Sequence, residues 1–428
     1  LNPSPDAVGR MSRREFIVLI SMLSALTALA TDMMLPAFGD VRAEFGLAAD
    51  SSAVAPVVTA FFIGFGAGQL LWGPLSDALG RKRVLSVGLV IYVLGALGAV
   101  LAPSLASLLL LRLLGGLGAA AVRVVAQGAV RDRFRGDEMA KVLSYVMAVF
   151  ILVPTVAPTV GVVVLALGSW RGIFLFFALF ALAAALWSLR MPETLPPARR
   201  LPLDRRRIRL AFGAVVTSRF AMGLTLAQMA IFGFFASYLA SSELIIGDVF
   251  GLGSWFPFIF GAGALVIGAG ILANPRLIDR VGLRSMVRYV ISGNLIASVA
   301  FALIAAATGG RPPFWLYVAG LLPLLLAHAF VVPNLNAAAM MPMGNIAGTA
   351  AAVIGSMVTL GGALIGSLID RSFDSTITPF AVGGLVCAVA AYACYRWADA
   401  TWTEAAGREL AAPERALAES LPAGPDPT

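Results

Sequence analysis

Apolar runs of about 20 residues recur from one end of this 428-residue chain to the other. At about 1.5 Å of rise per residue, each can cross a hydrocarbon core of about 30 Å. In that medium only structures that satisfy every backbone polar group internally can span, and runs of this length read as helices. The expected fold class is therefore all-α integral membrane. Composition agrees: 59% of residues are hydrophobic and only 13% charged, against about 25% charged in a soluble domain. A water-soluble multidomain enzyme, a disordered chain and a nucleic-acid-binding chain are all excluded. The net charge of +8 sits in short clusters between the runs, a pattern of membrane orientation and not of a nucleic-acid footprint. Cys387 and Cys394 fall within one apolar run, so neither a disulfide framework nor a cysteine metal site is expected. The first run continues as a full span, unlike a cleaved signal peptide.

Twelve helices are expected, near 15–38, 53–76, 83–101, 104–130, 138–165 and 170–190, then 210–240, 249–274, 286–308, 313–333, 344–369 and 377–397. Between the two sets lies 191–209, proline-broken and strongly basic. The chain thus divides into a tail (1–13), a six-helix bundle (14–190), a linker (191–209), a second bundle (210–402) and a polar tail (403–428). An even helix number puts both termini on one side. That side holds 24 of the 31 Lys and Arg residues, the opposite side only Arg42, Arg171, Arg311 and Arg371, and Arg112, Arg123 and Arg219 fall within helices. Basic residues concentrate in cytoplasmic loops, so both termini and the linker are expected in the cytoplasm.

The halves echo each other. Leu75, Asp77, Gly80 and Lys82 follow helix 2, and Leu277, Asp279, Gly282 and Arg284 follow helix 8 at a constant offset of 202 residues. Parallel copies of one loop on two six-helix halves are the signature of a rocking transporter with its site at the midplane between them.

At this loop the chain resembles the major facilitator superfamily: Gly73-Pro-Leu-Ser-Asp77-Ala-Leu-Gly80-Arg81-Lys82-Arg83 matches its cytoplasmic loop signature almost throughout. Further segments resemble the Bcr/CflA branch, the bicyclomycin-resistance-like drug:proton antiporters. These are Asp32-Met-Met-Leu-Pro36-Ala in helix 1, Arg112-Leu-Leu-Gly-Gly116-Leu-Gly118 in helix 4 and Pro154-Thr-Val-Ala-Pro158-Thr-Val-Gly161 in helix 5, with Trp170-Arg171 opening helix 6 and Ala347-Gly348-Thr349-Ala350 opening helix 11. The likeness covers residues 12–400. Gly115 stands where the helix 4 motif usually has Gln, and Val162 where the helix 5 motif usually has a second Gly. The resemblance implies a major facilitator fold of two pseudo-symmetric six-helix bundles in a bacterial inner membrane. It implies proton-coupled efflux of small lipophilic drugs or antibiotics by a monomer driven by the proton gradient, with no cofactor and with lipid, drug and protons as its only partners.

Asp32 is the acid placed deepest in an apolar span. Low dielectric disfavours its charged form and a nearby cation favours it, so such a group can take up and release a proton as its surroundings switch. The alternative is an acid that is merely salt-bridged in the bundle or exposed near the helix end. Arg112 is the expected counterpart: it lies about 12 Å and Asp32 about 9 Å below the same surface, and in facilitator folds helices 1 and 4 line the central cavity. Arg123 returns to within about 20° of the Arg112 face, with Gly116 and Ala119 near that stripe. It either lines the cavity or packs, reaching toward the headgroups.

In the loop, Gly73 and Gly80 permit close approach and turning, and Asp77 is expected to gate. Its candidate partners are the N-terminus of helix 11, Arg81, Arg131 and Arg133. Lys82 and Arg83 read as anchors. Pro154, Pro158 and Gly161 allow helix 5 to bend. His328, the only histidine, reads more readily as a packed residue than as a relay. Arg219, Gln228, Asn334 and Asn336 are further polar candidates. Met33, Met34, Met222, Met229, Phe232, Phe235 and Tyr238 offer an adaptable apolar cavity wall. An intramembrane enzyme would need converging acid–base groups or metal ligands, which one deep acid and one histidine do not supply. A non-transporting receptor and a proton-coupled uptake carrier for a small metabolite are the remaining alternatives.

Overall fold

A computed structural model describes residues 11–48, 51–203 and 205–403, so the expected tails 1–13 and 403–428 lie almost wholly outside the described residues. Every regular element among those residues is helical. The first half runs α1 (Arg13–Asp32), α2 (Phe38–Glu44), α3 (Pro56–Leu79), α4 (Arg81–Val100), α5 (Leu105–Arg133), α6 (Gly136–Ala166) and α7 (Arg171–Ser188). The second runs α8 (Arg205–Thr217), α9 (Arg219–Leu244), α10 (Phe256–Val281), α11 (Leu283–Ala307), α12 (Phe314–Met340), α13 (Ala347–Arg371) and α14 (Thr378–Asp399). Twelve segments are long and apolar enough to cross a membrane. α1 and α2 together make the first, and α8 stands apart from the set.

Two boundaries depart from expectation. The first span breaks at Met33–Ala37, because Pro36 has no N–H for the Asp32 carbonyl four residues back and its ring crowds that carbonyl. The seventh does not begin at 210: Ser218 leaves the helical conformation and its side chain accepts from the Ala221 amide, capping α9 and separating it from α8. Arg219, expected inside a helix, is therefore its first residue. It donates to the Trp397 carbonyl at 2.9 Å and sits over the Trp397 ring, at the linker end of the bundle.

Small residues set the packing, since helices in lipid gain little from apolar burial alone and approach where side chains are absent. A methyl on Gly64 or Gly116 would overlap backbone across the α3–α5 contact, and one on Gly118 would reach the Tyr92 backbone across α4–α5. In the second half, between α9 and α13, a methyl on Gly233 would collide with the Ile365 side chain, one on Gly362 with Phe232, and one on Gly366 would crowd Ala236 and the α9 backbone. Leu94, Leu110, Leu179, Leu303 and Leu368 are exposed on the outside of the bundle, the face that meets lipid. Gly116 and Ala119, expected beside a cavity, are buried packing residues, Gly116 seated on the Phe61 carbonyl of α3.

Candidate functional site

The break in the first span builds the centre of the first half. Asp32 ends α1, 4% exposed, and its Oδ1 accepts from the Thr31 hydroxyl at 3.0 Å. Arg112 is also 4% exposed but does not pair with it. Its Nη2 donates to the Ala30 carbonyl at 2.9 Å and its Nε to the Val57 carbonyl at 3.2 Å, with the guanidinium 4.5 Å from the Phe61 ring centroid. Depth matched the two groups; azimuth separated them. The Ala30 carbonyl lies in the last turn of α1, where carbonyls lose their intrahelical partners, and Arg112 fills that vacancy. Beside it, Tyr92, Gly95, Leu111, Arg112, Gly115 and Phe177 line a small, half-open recess of about 10 Å³, and a side chain at Gly115 would meet open space. Arg123 contacts the Phe150 ring of α6 and makes no hydrogen bond or ion pair among the described residues.

α6 runs unbroken through Pro154 and Pro158. Its Gly161 backs directly onto the Met33 carbonyl, where any side chain would collide with the broken segment. Met33 and Met34 are wholly buried there.

Across from Asp32 stands an aromatic wall on α9. Phe232 meets Phe62 of α3 edge-on at 5.5 Å, joining the halves, and Met229 and Phe232 press against Gly361 and Gly362 of α13. Phe235 stacks on His328 of α12 at 3.8 Å, and Tyr238 stacks on Phe260 of α10 at 5.5 Å. Tyr238 lies within electrostatic reach of Asp32. His328 Nδ1 and Gln228 Oε1 are buried without a hydrogen-bond partner among the described residues. Asn334 exchanges two hydrogen bonds with Asn274 of α10, at 2.8 and 3.1 Å, and Asn336 is exposed. The structure thus places Tyr238 within electrostatic reach of Asp32, buries Arg112, Gly116, Ala119 and Asn334 among their neighbours, and sets Arg123 against Phe150.

At the linker end the loop after the second span collapses to one residue. α3 continues through Gly73 and Asp77 to Leu79, and α4 starts at Arg81, so Gly80 alone turns the chain at φ 96°. Its repeat counterpart Gly282 turns at φ 78°. Asp77 does not cap α13: it accepts from Arg81 Nη1 at 2.7 Å, and Arg81 Nε donates to Asp132 Oδ2 at 2.9 Å. Arg131 is exposed, so the α5 residue in this cluster is its neighbour Asp132. Linker residue Glu193 accepts from the Arg81 amide at 2.9 Å and the Lys82 amide at 3.3 Å, capping α4 from outside. Gly73 touches Ala352 of α13, and Gln69 donates to Thr359 at 3.1 Å, holding the halves together.

At the far end, Arg42 of α2 grips Glu243 of α9 through both terminal nitrogens at 3.2–3.3 Å. Asp370, the next-to-last residue of α13, is 4% exposed and accepts from Ser237 and Ser241 of α9. Sequence depth marked Asp32 alone among the acids; packing buries Asp370 and half-buries Glu243 as well. Two signals for them are present in the chain: Arg42 is one of only four cations on its side, and Asp370 continues the four-residue spacing of Gly362 and Gly366. Among the described residues no three His, Cys, Asp or Glu side chains come together to hold a metal ion.

Comparison with known proteins agrees with this architecture. The chain is 28% identical to the bicyclomycin resistance protein homolog of Haemophilus influenzae, over 88% of this chain and 95% of that one. It is 32% identical to a chloramphenicol resistance protein of Pseudomonas aeruginosa, over 84% of each. The fold superposes on a D-xylose-proton symporter with a TM-score of 0.72 at 15% identity, covering 89% of this chain and 97% of that one. Twelve spans, a repeated helix junction and a broken first span facing the second half are the architecture of a membrane transporter, not an enzyme. With residues 20–366 matching its sequence pattern, the chain belongs to the Major Facilitator Superfamily.

Proposed function

We propose that this transporter exports small lipophilic drugs in exchange for protons, as a monomer in the bacterial inner membrane with its termini and linker in the cytoplasm. The observation that carries the reading is Asp32: a buried carboxyl at a helix break, without a cationic partner among the described residues, facing an aromatic wall on the other half. A group so placed is sensitive to whatever enters between the halves. A proton neutralises it; a drug seated against Phe232, Phe235 and Tyr238 changes its solvation and its charge partner. Drug and proton then exclude each other through opposite preferences for two states of one carboxyl, which is sufficient for coupling. The names of the resistance-protein relatives support a drug as the cargo, and the excess of cations on the terminus side supports the orientation.

The test is drug-induced proton release from detergent-solubilised protein. Wild type releases protons on drug addition, and Asp32→Asn, fixed in a neutral form, binds drug with little release and no longer drives efflux. Equal release from both places the proton site elsewhere.

A further inference from the structure

A second carboxyl in the other half shares the features that single out Asp32, in a different setting. α9 and α13 pack through a ladder of small residues, Gly233 and Ser237 on one side and Gly362 and Gly366 on the other. Asp370, four residues after Gly366, ends that ladder. Both Ser237 and Ser241 donate to the same oxygen, Oδ1, at 2.6 and 2.7 Å, while Oδ2 is buried with no hydrogen-bond partner among the described residues. With two donors on Oδ1 and no partner on Oδ2, the group suits a neutral acid better than an anion: an O–H at Oδ2 also lacks an acceptor, but that costs less than a bare buried charge. A buried carboxylate would need donors or a cation on both oxygens.

Among the described residues no cation forms an ion pair with Asp370. Arg371, next on α13, is exposed. On α9, Glu243 is committed to Arg42, and Tyr238 faces Phe260 on another side of the helix. The first turns of α14 carry Thr378 and Phe380 and no charge, as does the described approach to α3 at Ser51–Val58. Serine hydroxyls across a helix pair are ordinary membrane packing; the orphaned carboxyl oxygen is what that packing does not explain.

We propose that Asp370 is a second proton-binding site, in the C-terminal half, carrying its proton on Oδ2 while α9 and α13 are closed on each other. Loss of that proton strands a charge at the ladder's end, so release requires the Ser237–Ser241 face of α9 to move away and admit water. α9 also carries Glu243 of the contact with Arg42 and the aromatic wall opposite Asp32, so its position reports on both the far end and the centre. The site extends the proton-coupled reading of Asp32, yet it is tested independently of it.

The experiment is infrared difference spectroscopy of the solubilised full chain on raising the pH, following the protonated-carboxyl carbonyl bands. Wild type is expected to show a band that Asp370→Asn removes and Asp32→Asn leaves, with one proton fewer bound per molecule in the Asp370 variant. Ser237→Ala/Ser241→Ala, which keeps the carboxyl, is expected to shift that band to higher frequency without removing it, since its carbonyl loses both donors. A spectrum unchanged by Asp370→Asn overturns the proposal, as does a band indifferent to the serine pair, or sodium displacing the band in wild type, which would make the group a cation ligand. Failure of the Asp32 reading appears separately, as the absence of any band lost in Asp32→Asn.

Discussion

Arg112 holds a helix break together, and its substitution separates structure from coupling. Its fork reaches two carbonyls on different helices, and its face rests on Phe61. Arg112→Met keeps much of the volume but leaves the Ala30 carbonyl, in the last turn of α1, buried and unpaired, at about 1–3 kcal/mol. The expected result is a lower melting temperature in detergent, with proton release on drug addition retained by the protein that stays folded. Loss of that release at unchanged melting temperature would mean that Arg112 sets the charge of Asp32 directly. Gly161 works through absence: it lets α6 lie against the Met33 carbonyl. Overpacking a close contact costs about 1–3 kcal/mol. Gly161→Val is therefore expected to displace the broken segment and to impair drug binding measured at equilibrium, while Val162, one residue on and exposed to 41%, tolerates exchange to Ile.

At the scale of elements, the first span is marked by a discontinuity. Pro36 interrupts the hydrogen bonding that would carry α1 into α2, and Asp32 sits where α1 stops. A proline within a helix costs about 3 kcal/mol. Pro36→Ala is expected to melt at the same temperature as wild type or higher, yet to transport more slowly, because a continuous helix turns Asp32 and the Met33 carbonyl away from their places. Faster transport would argue against the break as part of the site. The repeated helix junction shows the complementary lesson. Gly80 and Gly282 adopt the same left-handed turn, but a methyl on Gly80 also collides with Glu193, whereas Gly282 faces open space. Both Ala variants carry the strain of a positive φ, and Gly80→Ala is expected to be the more destabilising of the two, read by thermal unfolding. The second copy keeps the backbone and changes the charges: Arg284 pairs with Asp399 of α14, and Asp279 is exposed.

For the whole molecule, side-chain contacts join the halves at both ends. Arg42 and Glu243 join α2 to α9 at the far end, with Arg42 almost fully buried. Breaking one partner of a buried pair leaves an uncompensated charge, worth about 3–5 kcal/mol, which is enough to change the balance between two arrangements of the halves. Glu243→Gln and Arg42→Gln are expected to raise the labelling rate of a cysteine placed at Met34, and the double variant to do so by less than the sum of the two. Unchanged labelling in all three would make the pair a structural clasp only. Orientation is read in the same way: Ser372→Cys is expected to react with an impermeant thiol reagent in intact cells, and Ala198→Cys only after permeabilisation. The reverse pattern would invert the assignment of sides.

Hydrophobic run length and the spread of cations determined, from the sequence by itself, that the chain is a membrane protein of twelve spans with a repeated junction after the second helix of each half. These follow from local quantities: a run of apolar side chains long enough for the bilayer, and a glycine where the chain must turn left-handed. Asp32 was legible for the same reason, since an acid deep in an apolar run is conspicuous without any partner. Partnership was not legible. Arg112 shares the depth of Asp32, but the direction a side chain takes around its helix, and the presence of an unsatisfied carbonyl within its reach, exist only once α1, α3 and α5 are packed. Glu193 capping α4, Arg42 reaching Glu243 and Asp370 meeting two serines join residues 111, 201 and at least 129 positions apart. Burial of those charges is a property of the assembled bundle, because the groups that exclude water from each come from a different helix.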